Sequence, residues 1–416
     1  MASGAPSGAA AAAAPGAPTE AAASPALRAD VERLASQLDD WGRRYLTRDW
    51  RPALAAVRAA RGEVQALFAR LAALSDPAEL LSVAAPLGAT GFRWAAELPP
   101  GDSLIRSSTF RDLAAALSRA AEAIGAPETL RATCDFAAAL CTPSSEARRA
   151  LLERAVAARS CVLGAGSLET LDAQHELSVA MFQCNVASGR HCDAAAYAPE
   201  LVLLTAVHRG RERLLGPNDP ATLRAQQSLA ICYGQADQVD AGEALLRGAL
   251  SGMEAALGPT HPLTTRALYE LAQLSNRKGD FAASEALHRR ALVGRRVAGL
   301  DEDGEDIKNS QFGLALALMR QEKLAEAEPL YRTVAAYWER TGGAAYRDTI
   351  LSKTMAAHCM AGQGRHAEAL ALQLPTLEAA MAGLGGRHGH TCMLIVQTIG
   401  SLSRLGRAEE LSLIHI

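Results

Sequence analysis

The chain has 416 residues, of which 49% are hydrophobic and 21% are charged, and this length allows one long repeat array or about two to three ordinary domains. The formal net charge of −3 at pH 7 argues against a general binder of nucleic acid or of anionic membranes, which would carry a basic excess. No apolar run reaches the length of about eighteen residues that a transmembrane helix needs. The apolar residues are mostly Ala and Leu, which favour helices over sheets, so the composition predicts an all-α fold.

Residues 1–26 are rich in Ala, Gly, Pro and Ser and carry a single charged side chain, Glu20. Such a segment cannot bury enough apolar surface to offset the entropy of ordering, and we predict a disordered arm. A transit peptide would be Arg-rich, whereas this segment has no Arg, and the basic region and Leu-rich core of a secretory signal are also missing.

Residues 27–123 are predicted to form a helical N-terminal region. Leu27, Val31, Leu34 and Leu38 recur at the spacing of an amphipathic helix. Clusters of Pro and Gly separate the amphipathic stretches that follow. No period is evident here, so the region is either a set of degenerate repeats or a short helical cap.

From about residue 124 the chain repeats itself. The marker LGPNDPATL at residues 215–223 is echoed 42 residues later by LGPTHPLTT at residues 257–265. The marker threonine gives the register, and it recurs at Thr129, Thr170, Thr222, Thr264, Thr349 and Thr391, with Ile307 in its place once. Successive intervals are 41, 52, 42, 43, 42 and 42 residues, and the long one predicts about ten inserted residues near 188–197, at a turn between helices. This pattern predicts about seven repeats over residues 124–411, the last one incomplete, and an irregular tail over 412–416.

Each repeat contains two apolar-periodic runs, which predicts two helices. Gly216 and Gly258 follow the second run and suit a residue that ends a helix in the left-handed conformation. Asp219 and Pro220 then have the residue types of an N-cap and of a first helical position. The alanines at 230, 272, 315 and 357 would let paired helices approach closely. A single pair cannot bury its apolar face alone, so the pairs are expected to stack into an α-solenoid whose first helices line the concave side.

The segment Leu257-Gly258-Pro259-Thr260-His261-Pro262 matches the opening LG-x-x-HP of a tetratricopeptide repeat, in the 42-residue variety of kinesin light chains. Leu229-Ala230-x-x-Tyr233 and Leu324-x-x-Ala327-Glu328-x-Leu330 match the part of the repeat that follows. The chain resembles this family over roughly residues 124–411, and the resemblance implies a right-handed superhelix of antiparallel helix pairs that binds peptides in its concave groove.

Two departures limit what the resemblance implies. The light-chain family has a peptide-binding Asn directly before the Leu-Ala pair, and this chain has instead Ser228, Glu270, Gly313 and Met355. Residues 27–123 also lack the long heptad coiled coil that joins light chains to the motor heavy chain. The sequence therefore indicates the repeat type but not the motor role.

We interpret the chain as a protein–protein interaction adaptor or scaffold that binds partner peptides in the concave groove, without a cofactor. The candidate groove residues, projected from the Leu-Ala register, are Arg224, Gln227, Arg266, Tyr269, Gln273, Asn276, Asn309 and Arg320. A second hypothesis is an architectural subunit of a motor or ciliary assembly that uses the convex face or residues 27–123. An enzyme or metal-binding protein is a third hypothesis, and an RNA reader of the pentatricopeptide type, whose repeat is shorter at about 35 residues, is a fourth. The sequence names neither the partner nor the oligomeric state.

Signals for catalysis and metal binding are weak. The sequence has no GxxxxGK[ST] loop, no GxSxG elbow and no HExxH helix, so we expect no enzymatic activity. His175, Cys184, His191 and Cys192 lie close in sequence but lack the paired short spacings of a zinc site, and no metal is expected.

Three further features have structural interpretations. The pairs Arg289-Arg290 and Arg295-Arg296 are interpreted as a solvated basic patch offset by the acidic stretch 301–306. The last repeat stops soon after its second helix begins, and its apolar end suggests a truncated C-terminus. Cysteines without a CxxC pair typically act as small buried apolar side chains in a reducing compartment, which predicts a soluble cytoplasmic protein. The eight are Cys134, Cys141, Cys161, Cys184, Cys192, Cys232, Cys359 and Cys392.

Overall fold

The computed structural model describes residues 25–48, 50–87, 107–188, 194–407 and 409. Over these residues the fold is entirely helical, with seventeen α-helices, one 3-10 turn at Ala85–Leu87 and no strand. The prediction of an all-α fold is confirmed. The N-terminal helices are α1 (Pro25–Tyr45), α2 (Trp50–Ala72), α3 (Pro77–Ala84) and α4 (Ser108–Ala123).

The remaining helices form consecutive antiparallel pairs. The six pairs are α5 (Glu128–Cys141) and α6 (Ser145–Leu163), α7 (Leu168–Ala187) and α8 (Ala194–Leu215), α9 (Pro220–Gln235) and α10 (Val239–Leu257), α11 (Pro262–Lys278) and α12 (Phe281–Val297), α13 (Glu305–Arg320) and α14 (Leu324–Gly342), and α15 (Arg347–Gly362) and α16 (His366–Gly383). The last described helix, α17 (Gly389–Arg404), follows them as a first helix. Each helix packs against the one before it and the one after it, and the first helices of several successive pairs also touch. This is the solenoid that the repeat period predicts.

Local sequence sets the ends of these helices. Gly216 and Gly258 have φ of 90° and 91°, a backbone region that residues with a Cβ rarely adopt. Asp219 then caps α9, because its Oδ1 accepts a hydrogen bond of 2.8 Å from the Ala221 amide. At the equivalent turn His261 caps α11, with its Nδ1 accepting from the Leu263 amide at 3.1 Å. The repeated marker is therefore a helix stop followed by a helix start.

The recurring alanines lie where paired helices come closest. Ala230, Ala272, Ala315 and Ala357 are all fully buried. Opposite Ala230 the second helix presents Gly242, and a Cβ built on that glycine would lie 2.6 Å from the Ala230 carbonyl oxygen. Only a pair of small residues allows this approach, which accounts for the alanine recurring in each repeat.

A buried arginine joins one helix pair to the next at three places. The Nη1 atoms of Arg159 and Arg211 donate to the carbonyl oxygens of Glu169 and Ala221, at 2.7 and 3.0 Å. Arg295 donates in the same way to the Asp306 carbonyl oxygen. Each acceptor is the second residue of the next first helix. We call these three arginines the junction arginines.

The interpretation of residues 289–296 as a solvated basic patch is wrong for Arg295, which is 3% exposed. The Arg295 guanidinium can be buried here because it donates both to the Asp306 carbonyl oxygen and to the Ser310 hydroxyl. The other three arginines, Arg289, Arg290 and Arg296, are exposed and paired with glutamates. The expectation for cysteines is also wrong in part, since Cys161 and Cys392 are exposed while Cys134, Cys232 and Cys359 are buried.

The N-terminal helices share one apolar core with the first helix pairs, and α4 packs on α5. Residues at the turn between α1 and α2 also contact a distant part of the repeat array. His261 Nε2 donates to the Tyr45 carbonyl oxygen at 2.9 Å, and Arg48 Nε donates to the Ala255 carbonyl oxygen at 3.1 Å. Two further arginines of α2 contact the same edge of the solenoid.

Arg51 donates to Thr260 Oγ1 at 3.1 Å, and Arg58 donates to the Gly299 carbonyl oxygen at 3.4 Å. We call Tyr45, Arg48, Arg51 and Arg58 the clasp. The residues that it contacts lie in the turns that precede α11 and α13 and at the end of α10. The clasp therefore bridges from the start of the chain to the middle of the repeat array.

Replacing Arg48 and Arg51 together by Ala is expected to lower the free energy of unfolding by about 1 kcal/mol, because exposed charge-assisted hydrogen bonds contribute modestly. Urea denaturation of the full chain measures the change. The matched control replaces Arg33 and Arg43 by Ala, since these arginines of α1 pair with Asp30 and Asp39 on their own helix. Equal effects in the two variants would contradict a specific contribution of the clasp.

Several sequence predictions fall on residues outside the described ranges. These are residues 1–24 of the arm predicted over 1–26, the tail predicted over 412–416 and residues 189–193 of the predicted insertion. The helices on either side of the insertion are long: α7 has 20 residues and α8 has 22, against 16 and 19 in the next pair. Part of the long interval is therefore extra helix.

Candidate functional site

A cavity lies between the first helices of successive pairs. It has a volume of 730 Å³ and is lined by α7, α8, α9, α11 and α13. Cavities of this size fall in the range that encloses a small ligand or several side chains of a peptide. We call it the groove pocket.

One wall of the groove pocket is apolar. Val179 and Phe182 of α7, Leu204 of α8 and Ile231 and Cys232 of α9 contribute to it. Phe182 also packs against the buried Tyr197 ring, with 5.9 Å between the centroids. These contacts fix the wall in place before any ligand arrives.

The other wall is polar and comes mainly from one face of α11. Arg266, Tyr269, Glu270, Gln273 and Asn276 line it at the i, i+3, i+4 spacing that places side chains on one face of a helix. Gln273 Nε2 donates to the Tyr269 hydroxyl at 2.8 Å, which holds both side chains. Arg320 of α13 completes this wall, and its guanidinium lies 5.8 Å from the centre of the Phe281 ring.

Five of the eight residues projected from the sequence line the groove pocket, namely Arg266, Tyr269, Gln273, Asn276 and Arg320. The other three do not. Arg224 makes an ion pair of 3.1 Å with Glu176, and Gln227 is only 3% exposed. Asn309 lies half-buried in the first part of α13, away from the pocket residues of that helix.

Two polar groups at the pocket lack partners in the part of the chain that the structure describes. Both amide atoms of Asn276, Nδ2 and Oδ1, are buried without a hydrogen bond, and so is Oε2 of Glu200. Buried polar atoms are normally paired, so these atoms are available to a ligand. They are the chemical feature that distinguishes this cavity from a simple gap between helices.

Burial shifts the acids of the pocket toward their neutral forms. It raises the pKa of the Glu200 and Glu270 carboxyls and raises that of the Tyr269 hydroxyl to about 12. Arg266 acts in the opposite direction on Glu270, with its Nε 4.0 Å away.

The projection from sequence missed Glu200, Leu204 and the apolar wall, because it considered only the first helices and only polar residues. Glu270 had a usable signal. It occupies the place directly before the Leu-Ala pair, where the resembling family has its binding Asn, and Ser228 in the same place of the previous repeat also lines the pocket.

The cluster around His175 has a structural role. His175 is buried and its Nε2 lies 3.0 Å from Ser228 Oγ, while Cys184 is in the last turn of α7. Within the described ranges no group of His, Cys, Asp and Glu residues has the arrangement of a metal site, and His191 and Cys192 fall outside those ranges. None of the described helices combines the length and apolarity needed to cross a bilayer.

A family model of the tetratricopeptide repeat matches residues 229–294 and 306–392. No curated protein sequence matches the chain. Among solved structures, the apo form of the quorum sensor NprR from B. thuringiensis is 12% identical with a TM-score of 0.55, and the match covers 92% of this chain and 97% of that one. A Rap protein complexed with Competence and Sporulation Factor is 12% identical with a TM-score of 0.51, covering 91% and 99%.

A protein of Podosopora anserina described as a kinesin light chain with nearly identical TPR-like repeats is 22% identical with a TM-score of 0.43, covering 51% of this chain and 95% of that one. The solenoid fold is supported by the two longer matches. The matched segments and the spacing of the helix pairs identify the repeat. Residues 229–294 and 306–392 are therefore similar to tetratricopeptide repeats, and the helices α9, α11, α13, α15 and α17 begin 42 or 43 residues apart.

Proposed function

We propose that the protein is an interaction adaptor or scaffold that binds an extended peptide segment of a partner protein in the groove pocket. The observation that carries this proposal is the partnerless amide of Asn276 at a cavity with one apolar and one polar wall. An Asn side chain offers a donor and an acceptor, which is what one peptide group of an extended chain requires.

The charges of the polar wall favour acidic groups on the ligand. Arg266 is 60% exposed and its nearest carboxylate, Glu270, is at the outer limit of an ion pair. Arg320 is exposed and stacks near an aromatic ring. Two such guanidinium groups on neighbouring first helices suit carboxylates of an extended peptide.

The likeness to other solenoids is consistent with this proposal. The Rap protein of similar fold has been solved with Competence and Sporulation Factor bound. We propose a binding role rather than a catalytic one, without a cofactor, because the groove pocket combines an apolar wall with polar groups suited to recognition. We also propose a cytoplasmic location, which rests on the cysteines of the sequence and their lack of a CxxC pair.

The proposal is tested by selecting peptides from a display library of random 12-residue segments on the full-length protein. Replacing Arg266 and Arg320 together by Ala is expected to weaken the selected peptides about tenfold or more, because each lost charge-assisted hydrogen bond weakens binding severalfold. Fluorescence anisotropy with labelled peptides measures the dissociation constants.

The matched control replaces Arg247 and Arg290 by Ala, since these residues of second helices are 61% and 53% exposed and lie outside the pocket. Undiminished affinity in the Arg266 and Arg320 variant, or an equal loss in the control, would contradict binding in the groove pocket.

A further inference from the structure

Glu200 is a buried carboxylate at the apolar side of the groove pocket. The Glu200 residue as a whole is 1% exposed and lies in the first third of α8. Oε1 accepts a hydrogen bond of 2.6 Å from Asn185 Nδ2, whereas Oε2 has no partner among the described residues. A carboxylate oxygen in this position carries an uncompensated desolvation cost in the empty pocket.

The nearby arginines are engaged with other carboxylates. Arg149 of α6 pairs with Glu153 at 2.8 Å, and Arg224 of α9 pairs with Glu176. Arg211, which lies on the same helix as Glu200, pairs with Asp172 at 2.7 Å. Among the described residues Glu200 makes no ion pair, and the cation that acts on its carboxyl is Arg149, which is itself paired with Glu153.

Apolar side chains that could contact an aliphatic chain line the same pocket as Glu200. Phe182, Leu204 and Cys232 line the same pocket next to this carboxylate. A long basic side chain has an apolar stem and a charged end, and it gains most where the stem contacts apolar groups and the end meets a charge. Burial is the largest influence on the pKa of Glu200 and raises it, while the charge of Arg149 and the hydrogen bond from Asn185 act in the opposite direction.

We propose that Glu200 forms a cation-accepting subsite, which takes a lysine or arginine side chain of the peptide bound in the groove pocket. This inference rests on the proposed function and adds the chemistry of the ligand to it. Together with Arg266 and Arg320 on the opposite wall, the subsite makes the groove bipolar. The preferred ligand then has a basic residue toward α8 and an acidic residue toward α11 and α13.

The peptides selected on the full-length protein provide the first test. We expect them to share one basic residue, and replacing it by Gln to weaken binding to the wild-type protein about tenfold or more. The same change in the peptide is expected to have less than a twofold effect on the Glu200→Gln protein, because the charge that the basic residue meets is gone. This double-mutant cycle assigns the contact to the pair.

The control protein is Glu212→Gln, an exposed position of the same helix outside the pocket, and it should show the wild-type response. Peptides with an acetylated amino terminus separate a side-chain contact from one made by the α-amino group. If only peptides with a free α-amino group bind, the side-chain assignment is overturned.

The outcomes separate this inference from the proposed function. Peptides that depend on Arg266 and Arg320 but carry no required basic residue, or that lose equal affinity for wild-type and Glu200→Gln proteins on its removal, overturn the subsite alone. If Glu200→Gln does not fold, the peptide substitution on the wild-type protein still overturns the subsite when it leaves the affinity unchanged. Failure of all peptides to bind overturns both the function and the subsite.

Discussion

Acidification from pH 7 to pH 5 is expected to lower the free energy of unfolding by several kcal/mol. Burial lowers the pKa of His175 and His261 to about 4 and that of His288 to about 3, against 6.5 for an unperturbed histidine. Below pH 6.5 the unfolded chain therefore binds protons that the folded chain does not. Stability is complete above pH 6.5 and falls as the pH decreases toward these folded pKa values, by about 2 kcal/mol per histidine at pH 5.

Each of these histidines is held neutral by its surroundings. His261 accepts a hydrogen bond at Nδ1 from the Leu263 amide and donates one from Nε2 to the Tyr45 carbonyl oxygen. Protonation of Nδ1 would break the cap of α11. Both ring nitrogens of His288 are buried without a partner among the described residues, and a Cβ built on the facing Gly313 would lie 2.3 Å from its Nε2. The close approach of α13 therefore shields that ring from solvent.

The buried acids with a raised pKa change the free energy of unfolding in the opposite direction when the pH falls. Glu200, Glu270 and Asp135 take up protons in the folded state before they do so in the unfolded state, because burial raises their pKa. Acidification is therefore partly offset, and the whole-protein slope is smaller than the histidines alone would give. A variant that removes one histidine isolates its own contribution.

The variant His288→Met measures the contribution of this histidine to the pH dependence of stability. Methionine has a similar volume, fills irregular gaps and has no group to protonate. We expect its free energy of unfolding at pH 7 to equal or exceed that of the wild type, and its loss between pH 7 and pH 5 to be smaller by about 2 kcal/mol. Urea denaturation at the two pH values gives both numbers, and the exposed His358→Met serves as control.

An unchanged pH dependence in His288→Met would show that this ring is accessible to protons in the native state. If the His358→Met control shows an equally reduced loss of stability between pH 7 and pH 5, the change is instead a general effect of removing a histidine.

Replacing the junction arginine Arg211 by Met is expected to lower the free energy of unfolding by about 3 kcal/mol. Arg211 is 2% exposed, its Nη2 donates to Asp172 Oδ1 at 2.7 Å, and its Nη1 joins α8 to the start of α9. Its removal takes the ion-pair partner at 2.7 Å away from the nearly buried carboxylate of Asp172. Methionine at the equivalent place of α10, Met253, shows that the site tolerates the shape.

The matched control is Arg213→Met, two residues away on the same helix and exposed. It is expected to change stability by no more than about 0.5 kcal/mol. A double variant that also replaces Asp172 by Asn removes the stranded charge and should recover part of the loss. If Arg211→Met is as stable as the control, the junction arginines do not stabilise the stacking of the pairs.

The structural features that the sequence predicts depend either on adjacent residues or on the repeat period. Gly216, Gly258 and Asp219 indicate helix ends because their conformations and caps depend on adjacent residues alone. The face of α11 follows from the Leu-Ala register, so Arg266 and Asn276 were found at the groove. This reasoning extends only as far as one helix or one repeat.

What the sequence could not predict depends on contacts between distant segments. Glu200 enters the groove pocket from a second helix, after an insertion that shifts its register. Arg295 was assigned to solvent because charge alone was considered, whereas the carbonyl that accepts it belongs to another helix. The clasp joins residues separated by more than 200 positions, and no pattern in either segment indicates the other.

The clasp changes how the array can come apart. In an open solenoid each repeat interacts only with its neighbours, so melting can begin at either end and advance one repeat at a time. Here the Tyr45 carbonyl oxygen accepts a hydrogen bond from His261, so the segment from α1 to α11 is held together at both of its ends. Melting from the amino terminus must break contacts in the middle of the array, whereas α14 to α17 have no such contact with the N-terminal helices among the described residues. The molecule is therefore mechanically asymmetric, with a cooperative first half and a second half that can unravel progressively.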